Sequence, residues 1–275
     1  MKTKNSFIDL LKKKSNFVRK ETLRIHRHAP ETRLASSLSA VEIFTVLYYG
    51  KILRFRPKNV NWKKRDRFIV SKGHGAISLY PILAYFGFFP KERLRMVCKE
   101  GCILGGIPDP VIPGFETVNG SLGHGLGVAC GIAIALKRKK SKAIVFVLVG
   151  DGELNEGSVW EAIMFAGMHK IDNLVLIVDN NKACMLDYCK NVIDLSPLDK
   201  KFEVFNWDVK MVDGHNVECL YNVLQRSKKT TNGMPKVVIA NTIKGKGVFR
   251  FETDPLSHIK NLKPDEAEAL ITDLE

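Results

Sequence analysis

Three carboxylates lie among three glycines in VGDGELNEG, residues 149–157, the part of the sequence with the clearest capacity for chemistry. This segment directly follows the apolar run AIVFVLV, which is typical of a buried strand. A simple turn needs one Gly or Asp, so such a density of acidic side chains predicts a positively charged or hydrogen-bond-donating group nearby.

A second polar strand end occurs in VDNNKAC, which contains Asn180 and Asn181. The interval of 30 residues between Asp151 and Asn181 fits one strand–helix–strand crossover, which brings consecutive parallel strands together. A carboxylate and an amide carbonyl are hard oxygen ligands that suit Mg²⁺, completed by a backbone carbonyl, water and substrate phosphates. Gly150 and Gly152 allow backbone amides to approach a phosphate, so the pattern predicts a magnesium-bound diphosphate.

The elements that must position these strand ends alternate regularly along the second half of the chain. Unbroken apolar runs predict strands, and the amphipathic segments between them predict helices. This pattern is typical of an α/β fold with a mostly parallel sheet and helices on both faces, in which ligands bind at the carboxyl ends of the strands. The predicted strands are 67–70, 143–149, 174–179, 208–212 and 236–241, with helices near 157–169 and 216–228 and a further element near 197–206.

The first part of the chain adds helices to this arrangement. Apolar residues at helical spacing predict a helix over 5–28, which we interpret as an N-terminal helical extension of about residues 1–28 on a single domain covering 1–275. Ser39, followed by Glu42, predicts a capping box at the start of a helix.

The composition, with 45% hydrophobic and 26% charged residues, is typical of a soluble globular protein. The net charge is +14, but the Lys and Arg residues are scattered, which favours a solvated surface over nucleic-acid binding. The N-terminus lacks the apolar core of a signal peptide, and no apolar run is long enough to span a bilayer. Six cysteines without zinc-finger spacing are expected to be free buried thiols. We therefore expect a cytoplasmic protein with neither a nucleic-acid nor a membrane partner.

Several motifs together resemble the transketolase family. The segments RDRFIVSKGHG, PGFETVNGSLGHGLGVACGIAIA, VGDGELNEGSVWEA and ANTIKGKGV are similar, in the same order, to characteristic segments of that family. The chain is thereby identified as a member, as the N-terminal, pyrophosphate-binding half in the form whose halves are separate chains. The resemblance implies thiamine diphosphate as cofactor, bound with Mg²⁺ or another divalent cation such as Ca²⁺ or Mn²⁺. It also implies transfer of a two-carbon ketol unit between sugars.

The resemblance implies roles for individual residues. Asp151 and Asn181 hold the metal through their side chains, and Ala183 through its carbonyl. For Asp151 and Glu156, a helix cap and a charge at a helix N-terminus are the structural alternatives. The implied cofactor-binding residues are His74, Gly120, Leu122, Gly150, Asp151, Gly152, Glu153, Asn181 and His258, and the implied catalytic residues are His74, Glu156 and His258.

Two positions depart from the family pattern. Arg33 in ETRLASSLS and Ile107 in GGIPDP stand where transketolases carry histidines that contact the hydroxyls of the donor sugar. Their replacement implies that both positions face an unusual sugar substrate. Arg33 pairs either with an anionic group of the substrate or with a carboxylate at an interface, and the sequence leaves both open.

The pyrimidine-binding module of the family, which supplies the catalytic Glu, does not follow within these 275 residues. We therefore expect that the partner is a separate C-terminal transketolase-like subunit, that the two form a heterotetramer, and that this chain alone does not turn over. One alternative is the alpha subunit of a 2-oxo acid dehydrogenase, which does not explain SKGHG, GSLGHG and KGKG together. Another is a non-catalytic homologue, which does not explain why the metal ligands Asp151 and Asn181 are intact.

Overall fold

The computed structural model describes residues 2–274, and its core is a five-stranded sheet in which every strand runs parallel to its neighbours. The strands are β1 (Arg67–Val70), β2 (Val145–Gly150), β3 (Leu174–Asn180), β4 (Asp208–Asp213) and β5 (Lys236–Asn241). They lie in the order β1-β2-β3-β5-β4. The parallel sheet that the unbroken apolar runs predict is confirmed.

Eleven α-helices surround this sheet in the described part of the chain. Short 3-10 turns at Gly73–Gly75, Ile77–Leu79, Lys91–Met96 and Gly152–Asn155 lie between them. The helices are α1 (Lys2–His28), α2 (Leu34–Leu38), α3 (Val41–Tyr48), α4 (Tyr80–Phe86), α5 (Gly125–Arg138), α6 (Gly157–Met168), α7 (Cys189–Val192), α8 (Leu198–Val204), α9 (Val217–Lys229), α10 (Phe249–Glu252) and α11 (Pro264–Asp273).

The central strands separate two hydrophobic cores. Successive side chains of a strand point to opposite faces, so Phe146 and Leu148 of β2 face the first core, with α1, α3, α4, α9 and α11. Val147 and Val149 face the second core, with α5, α6 and α8. The predicted covering of both faces by helices is confirmed.

Helix α1 is packed into the first core and does not stand apart from it. Its Leu11 and Val18 are fully buried, and the helix lies along α11. The buried Arg19 forms an ion pair with Glu42 and donates to the carbonyl of Lys246 at 2.8 Å. The first helix is therefore bonded directly to the turn that follows β5.

The capping box predicted at Ser39 and Glu42 is wrong. The N-cap of α3 is Ala40, and no side chain caps this helix. Ser39 Oγ donates instead to Asp179 Oδ2 at 2.6 Å, and Glu42 Oε2 lies 2.9 Å from His215 Nδ1. Long-range partners satisfy both side chains, so neither is available for the local cap.

Between residues 2 and 274, no helix combines the length and the apolar character that crossing a membrane requires.

The cysteines are free thiols, as predicted, but the prediction that they are buried is wrong for most of them. They occur on helix surfaces and in loops, where the fold leaves side chains partly open to solvent. Cys130 is buried, Cys219 is exposed, and the half-buried ones are Cys98, Cys102, Cys184 and Cys189.

Candidate functional site

The carboxyl ends of β1, β2, β3 and β5 lie side by side along one edge of the sheet, and each leads into a polar loop. Gly150 at the end of β2 pairs in register with Asp179 of β3, so the strands that precede Asp151 and Asn181 are neighbours. The predicted adjacency of these two strands is confirmed. Ligands of open parallel sheets bind at this edge.

Asp151 is buried, and two backbone amides donate to its carboxylate. Oδ1 accepts from the amide of Gly152 at 2.8 Å, and Oδ2 accepts from the amide of Lys182. Burial, followed by the nearby charge of Asp179, raises the pKa of Asp151 to about 6. Two amide donors thus only partly compensate for the lost hydration, and a cation would stabilise this carboxylate further.

The other predicted metal ligands, Asn181 and Ala183, lie on either side of Lys182, whose amide donates to Asp151. Asn181 Oδ1 accepts from the amide of Ala183 at 3.1 Å, and the carbonyl of Ala183 accepts from Lys244 Nζ at 3.0 Å. A carboxylate, an amide oxygen and a backbone carbonyl form a donor set that suits Mg²⁺. The described residues contain no cluster of three or more His, Cys, Asp or Glu side chains suited to a metal. The predicted ligand set includes only one side chain of these types, Asp151, and its three oxygen ligands fit a hard cation.

Lys72 is a buried cation at this edge that the sequence analysis did not single out. It is 2% exposed, forms an ion pair with Asp179 and donates to the carbonyl of Ser36 at 3.2 Å. Burial alone would raise the pKa of Asp179, but Lys72, Ser39 and Thr242 outweigh it and hold that pKa below its ordinary value. The pair is therefore charged and fixed in place.

Lys244 is a second buried cation that sequence reasoning missed. Its Nζ donates to the carbonyls of Ala183 and Cys184. Burial, followed by the charge of Lys72, lowers the pKa of Lys244 to about 8. Lys72 and Lys244 lie beside glycines in SKGHG and KGKG, two motifs that belong to the family resemblance. Their position in these motifs is the signal in the sequence that could have identified both lysines as site residues. Two lysines gathered in a desolvated site would be stabilised by an anion.

His74 and His258 come from distant parts of the chain and meet at this site. Their ring centroids lie 5.0 Å apart, and His258 Nδ1 lies 3.3 Å from Ser36 Oγ. Burial, followed by Lys72, lowers the pKa of His74 to about 2; burial, followed by Lys244, lowers the pKa of His258 to about 3. Both imidazoles are neutral at physiological pH, so each has one ring nitrogen that can accept a hydrogen bond.

The two positions that depart from the family pattern lie next to these histidines. The charge of the exposed Arg33 contributes to the lowered pKa of His258. A Cβ built on Gly73 would lie 3.2 Å from Ile107 Cγ2, so Ile107 packs against the turn that carries His74. Ile107 is itself 46% exposed. Arg33 and Ile107 are therefore exposed residues near the histidine pair.

Glu153 is 2% exposed and connects three loops of the site. Its carboxylate accepts from the hydroxyl of Ser71, from the amide of Gly123 at 2.9 Å and from the amide of Gly150 at 3.2 Å. Burial raises the pKa of Glu153, and among residues 2–274 no cationic side chain hydrogen-bonds to its carboxylate. Its hydrogen bonds thus go to the protein backbone and to Ser71, which fixes the loops after β1 and β2 relative to each other.

The remaining predicted residues lie at the rim of the site. Gly120 has a φ of 143° and an open position around its missing side chain, and Leu122 is half-buried in the same loop. Glu156 is exposed at the N-cap position of α6, without a side-chain cap bond. The structure brings Asp151, Asn181, Ala183, His74 and His258 to one edge and leaves Glu156 on the surface.

Comparison with known proteins extends this picture. Residues 27–274 match the family model described as "Transketolase, thiamine diphosphate binding domain". The chain is 40% identical over 273 residues to one of the subunits of the apulose-4-phosphate transketolase of Actinobacillus succinogenes, covering 98% of each protein. It is 35% identical over 266 residues to the 6-deoxy-6-sulfo-D-fructose transketolase subunit SqwG of a Clostridium species, covering 96% of each.

A solved structure shares the same fold. The transketolase of Pichia stipitis in complex with sedoheptulose 7-phosphate aligns with a TM-score of 0.84 and 26% identity over 95% of this chain. The chain spans 41% of the length of that protein.

Proposed function

Because the chain belongs to the transketolase family and corresponds to its thiamine diphosphate-binding part, we propose that it binds thiamine diphosphate and a divalent cation at the carboxyl edge of its sheet. In this proposal it acts as the N-terminal subunit of a two-subunit enzyme that transfers a ketol unit between sugars. Residues 1–275 form one cofactor-binding domain. The observation that carries the proposal is the placing of two buried lysines beside a mixed set of three oxygen ligands.

The charges of this site match a magnesium diphosphate. Lys244 supplies desolvated positive charge, and Lys72 is buried nearby in its ion pair with Asp179. The amide of Gly152 lies at the start of a 3-10 turn at the same edge. Asp151 and Asn181 would hold the metal through side-chain oxygens and Ala183 through its carbonyl. Lys244 Nζ donates to that carbonyl at 3.0 Å, so its ammonium group lies next to a proposed metal ligand, where it could also bind the diphosphate.

The bound cofactor supplies the carbanion chemistry by which the carbon–carbon bond is cleaved and formed. The chain's own residues bind and orient. His74 and His258 are neutral, so each can donate one hydrogen bond to a substrate hydroxyl and accept one from it at neutral pH. Glu153 holds the surrounding loops in position through its three hydrogen bonds.

The substrate in this proposal is an anionic sugar different from the ordinary pentose and hexose phosphates. Arg33 and Ile107 lie near the histidine pair where the family carries two further histidines. A guanidinium group binds phosphate, sulfonate or carboxylate with two parallel hydrogen bonds, whereas an isoleucine offers no hydrogen bond to a hydroxyl. Two similar proteins are named for apulose 4-phosphate and for 6-deoxy-6-sulfo-D-fructose, which are anionic sugars outside the ordinary set.

The partner in this proposal is a pyrimidine-binding C-terminal subunit that supplies the catalytic Glu, in a heterotetramer. Similar proteins of nearly the same length are named as single subunits of a transketolase, which supports a second chain. The helices that follow the cofactor loops also expose apolar side chains, Val128 on α5 and Met164, Phe165 and Met168 on α6. Such an exposed apolar surface is typical of a protein–protein contact.

Calorimetric titration of the chain, assembled with its partner subunit, with thiamine diphosphate in the presence and absence of Mg²⁺ tests the proposal. We expect Mg²⁺-dependent binding, and a loss of affinity of at least about 100-fold in Asp151→Asn. Asp172→Asn is the matched control, because Asp172 pairs with Lys137 at the opposite end of β3. The proposal fails if the wild-type assembly binds no cofactor, or if Asp151→Asn binds it as tightly as the control.

A further inference from the structure

Cys184 and Cys189 face each other across a hairpin in the loop that follows β3. Ala183 and Tyr188 form an antiparallel bridge there. The amide of Cys184 donates to the carbonyl of Asp187 at 2.8 Å, and the amide of Cys189 donates to the carbonyl of Lys182 at 2.9 Å. Side chains alternate between the two faces of a hairpin, so both cysteines lie on the same face, opposite to that of the bridged pair.

The two sulfur atoms of these cysteines are close enough to react with each other. Their Sγ atoms lie 3.1 Å apart, and both side chains are half-buried, so solvent reaches them. A disulfide has an S–S length of about 2.05 Å. The two sulfur atoms would therefore have to approach each other by about 1 Å to form the bond.

This thiol pair lies directly against the residues proposed to hold the cofactor. A Cβ built on Gly152 would lie 3.3 Å from Cys184 Sγ, so the sulfur lies against the residue whose amide is proposed for the diphosphate. The hairpin also begins at Lys182, whose amide donates to Asp151 Oδ2. Lys244 donates to the carbonyls of Ala183 and Cys184.

The proposed metal ligands belong to this hairpin or are bonded to it. Asp151 Oδ2 accepts from the amide of Lys182, and Ala183, whose carbonyl is a proposed ligand, directly precedes Cys184. Metal binding at these oxygens would therefore depend on the position of the strand of the hairpin that carries Cys184. A covalent bond from Cys184 to Cys189 would restrict that position, because it ties this strand to the other one.

We propose that Cys184 and Cys189 form a reversible disulfide that stiffens the hairpin and weakens cofactor uptake, an inference that rests on the proposed function for its second part. The oxidant is a small-molecule disulfide. One cysteine thiol attacks it and releases one small thiol, and the second cysteine then displaces the other. The protein loses two protons and two electrons, which the two released thiols carry.

The test treats the reduced assembly of both subunits with oxidised glutathione and maps its peptides without reduction. We expect a Cys184–Cys189 cross-link, slower amide hydrogen exchange over residues 182–189, and a dissociation constant for thiamine diphosphate with Mg²⁺ raised by about tenfold or more. A dithiol reductant restores the original values. Cys184→Ser should resist the treatment, whereas the matched control Cys219→Ser, which removes an exposed thiol on α9, should respond as the wild type does.

Each outcome decides a separate statement. If no Cys184–Cys189 cross-link forms, or if it forms and leaves both the hydrogen exchange and the affinity unchanged, this proposal is overturned. If the reduced assembly binds no cofactor at all, the proposed function fails instead, and the cross-link and the exchange rate of the hairpin still decide whether the disulfide exists and stiffens it.

Discussion

Replacement of Lys72 by Met tests the electrostatic account of the site directly. Lys72 and Asp179 have side chains that are 3% and 0% exposed, so water cannot compensate for the loss of either partner. Removing one partner of a buried ion pair leaves an uncompensated charge and costs about 3–5 kcal/mol. We therefore expect Lys72→Met to lower the free energy of unfolding by that amount in urea titrations at pH 7.

The free energy of unfolding should also change with pH in opposite directions in the wild type and in Lys72→Met. In the wild type the pKa of Asp179 is lowered from 3.8, so the pair contributes stability that is present above the unfolded pKa and is lost as the pH falls through the folded pKa. In Lys72→Met the buried carboxylate has no cation, and its pKa rises above the unfolded value. Stability of the variant should then increase as the pH is lowered toward the unfolded pKa.

Two further variants complete this experiment. Lys137→Met removes one partner of an exposed ion pair with Asp172 and should cost about 0–1 kcal/mol. Asp179→Asn in the Lys72→Met background removes the orphaned charge and should recover part of the lost stability. The reasoning is refuted if Lys72→Met costs no more than Lys137→Met, or if the double variant is less stable than Lys72→Met alone.

Three other expectations can be measured on the same protein. Burial, which outweighs the charge of Glu31, lowers the pKa of His26 from 6.5 to about 4. The free energy of unfolding should therefore fall by up to about 3 kcal/mol as the pH is lowered from 6.5 to 4, and His26→Gln should remove this pH dependence. Glu153→Gln should cost about 1–3 kcal/mol in urea unfolding because a carboxamide cannot accept all three hydrogen bonds, whereas the exposed Glu156→Gln should cost almost nothing; equal costs would contradict the positioning role. The double variant Arg33→His, Ile107→His should raise kcat/KM on ordinary pentose phosphates by about tenfold. An unchanged or lower value would show that these two residues do not select the substrate.

The parallel sheet and the neighbouring strand ends of Asp151 and Asn181 follow from the sequence alone. Apolar runs without alternation occur only where both faces of a sheet are covered, and the crossover length leaves few other arrangements. The remaining features depend on contacts between distant residues. Ser39 looks like a helix cap, but it donates to Asp179, which is 140 positions away.

The lysines of the site were missed for a similar reason. Lys72 lies between a strand and a glycine-rich turn, where a charged residue is ordinarily in solvent. Its burial depends on Asp179 and on the carbonyl of Ser36, and neither contact leaves a local pattern in the sequence. Lys244 is likewise buried only because the loop after β3 folds back over it.

The bond from Arg19 to the carbonyl of Lys246 joins residues that are 227 positions apart. Arg19 lies in the segment that precedes the family match, which begins at residue 27. Lys246 belongs to the turn that also carries Lys244. The opening helix therefore supports the turn that carries Lys244, and removing this helix should weaken the proposed binding of thiamine diphosphate although every proposed cofactor-binding residue remains in the protein.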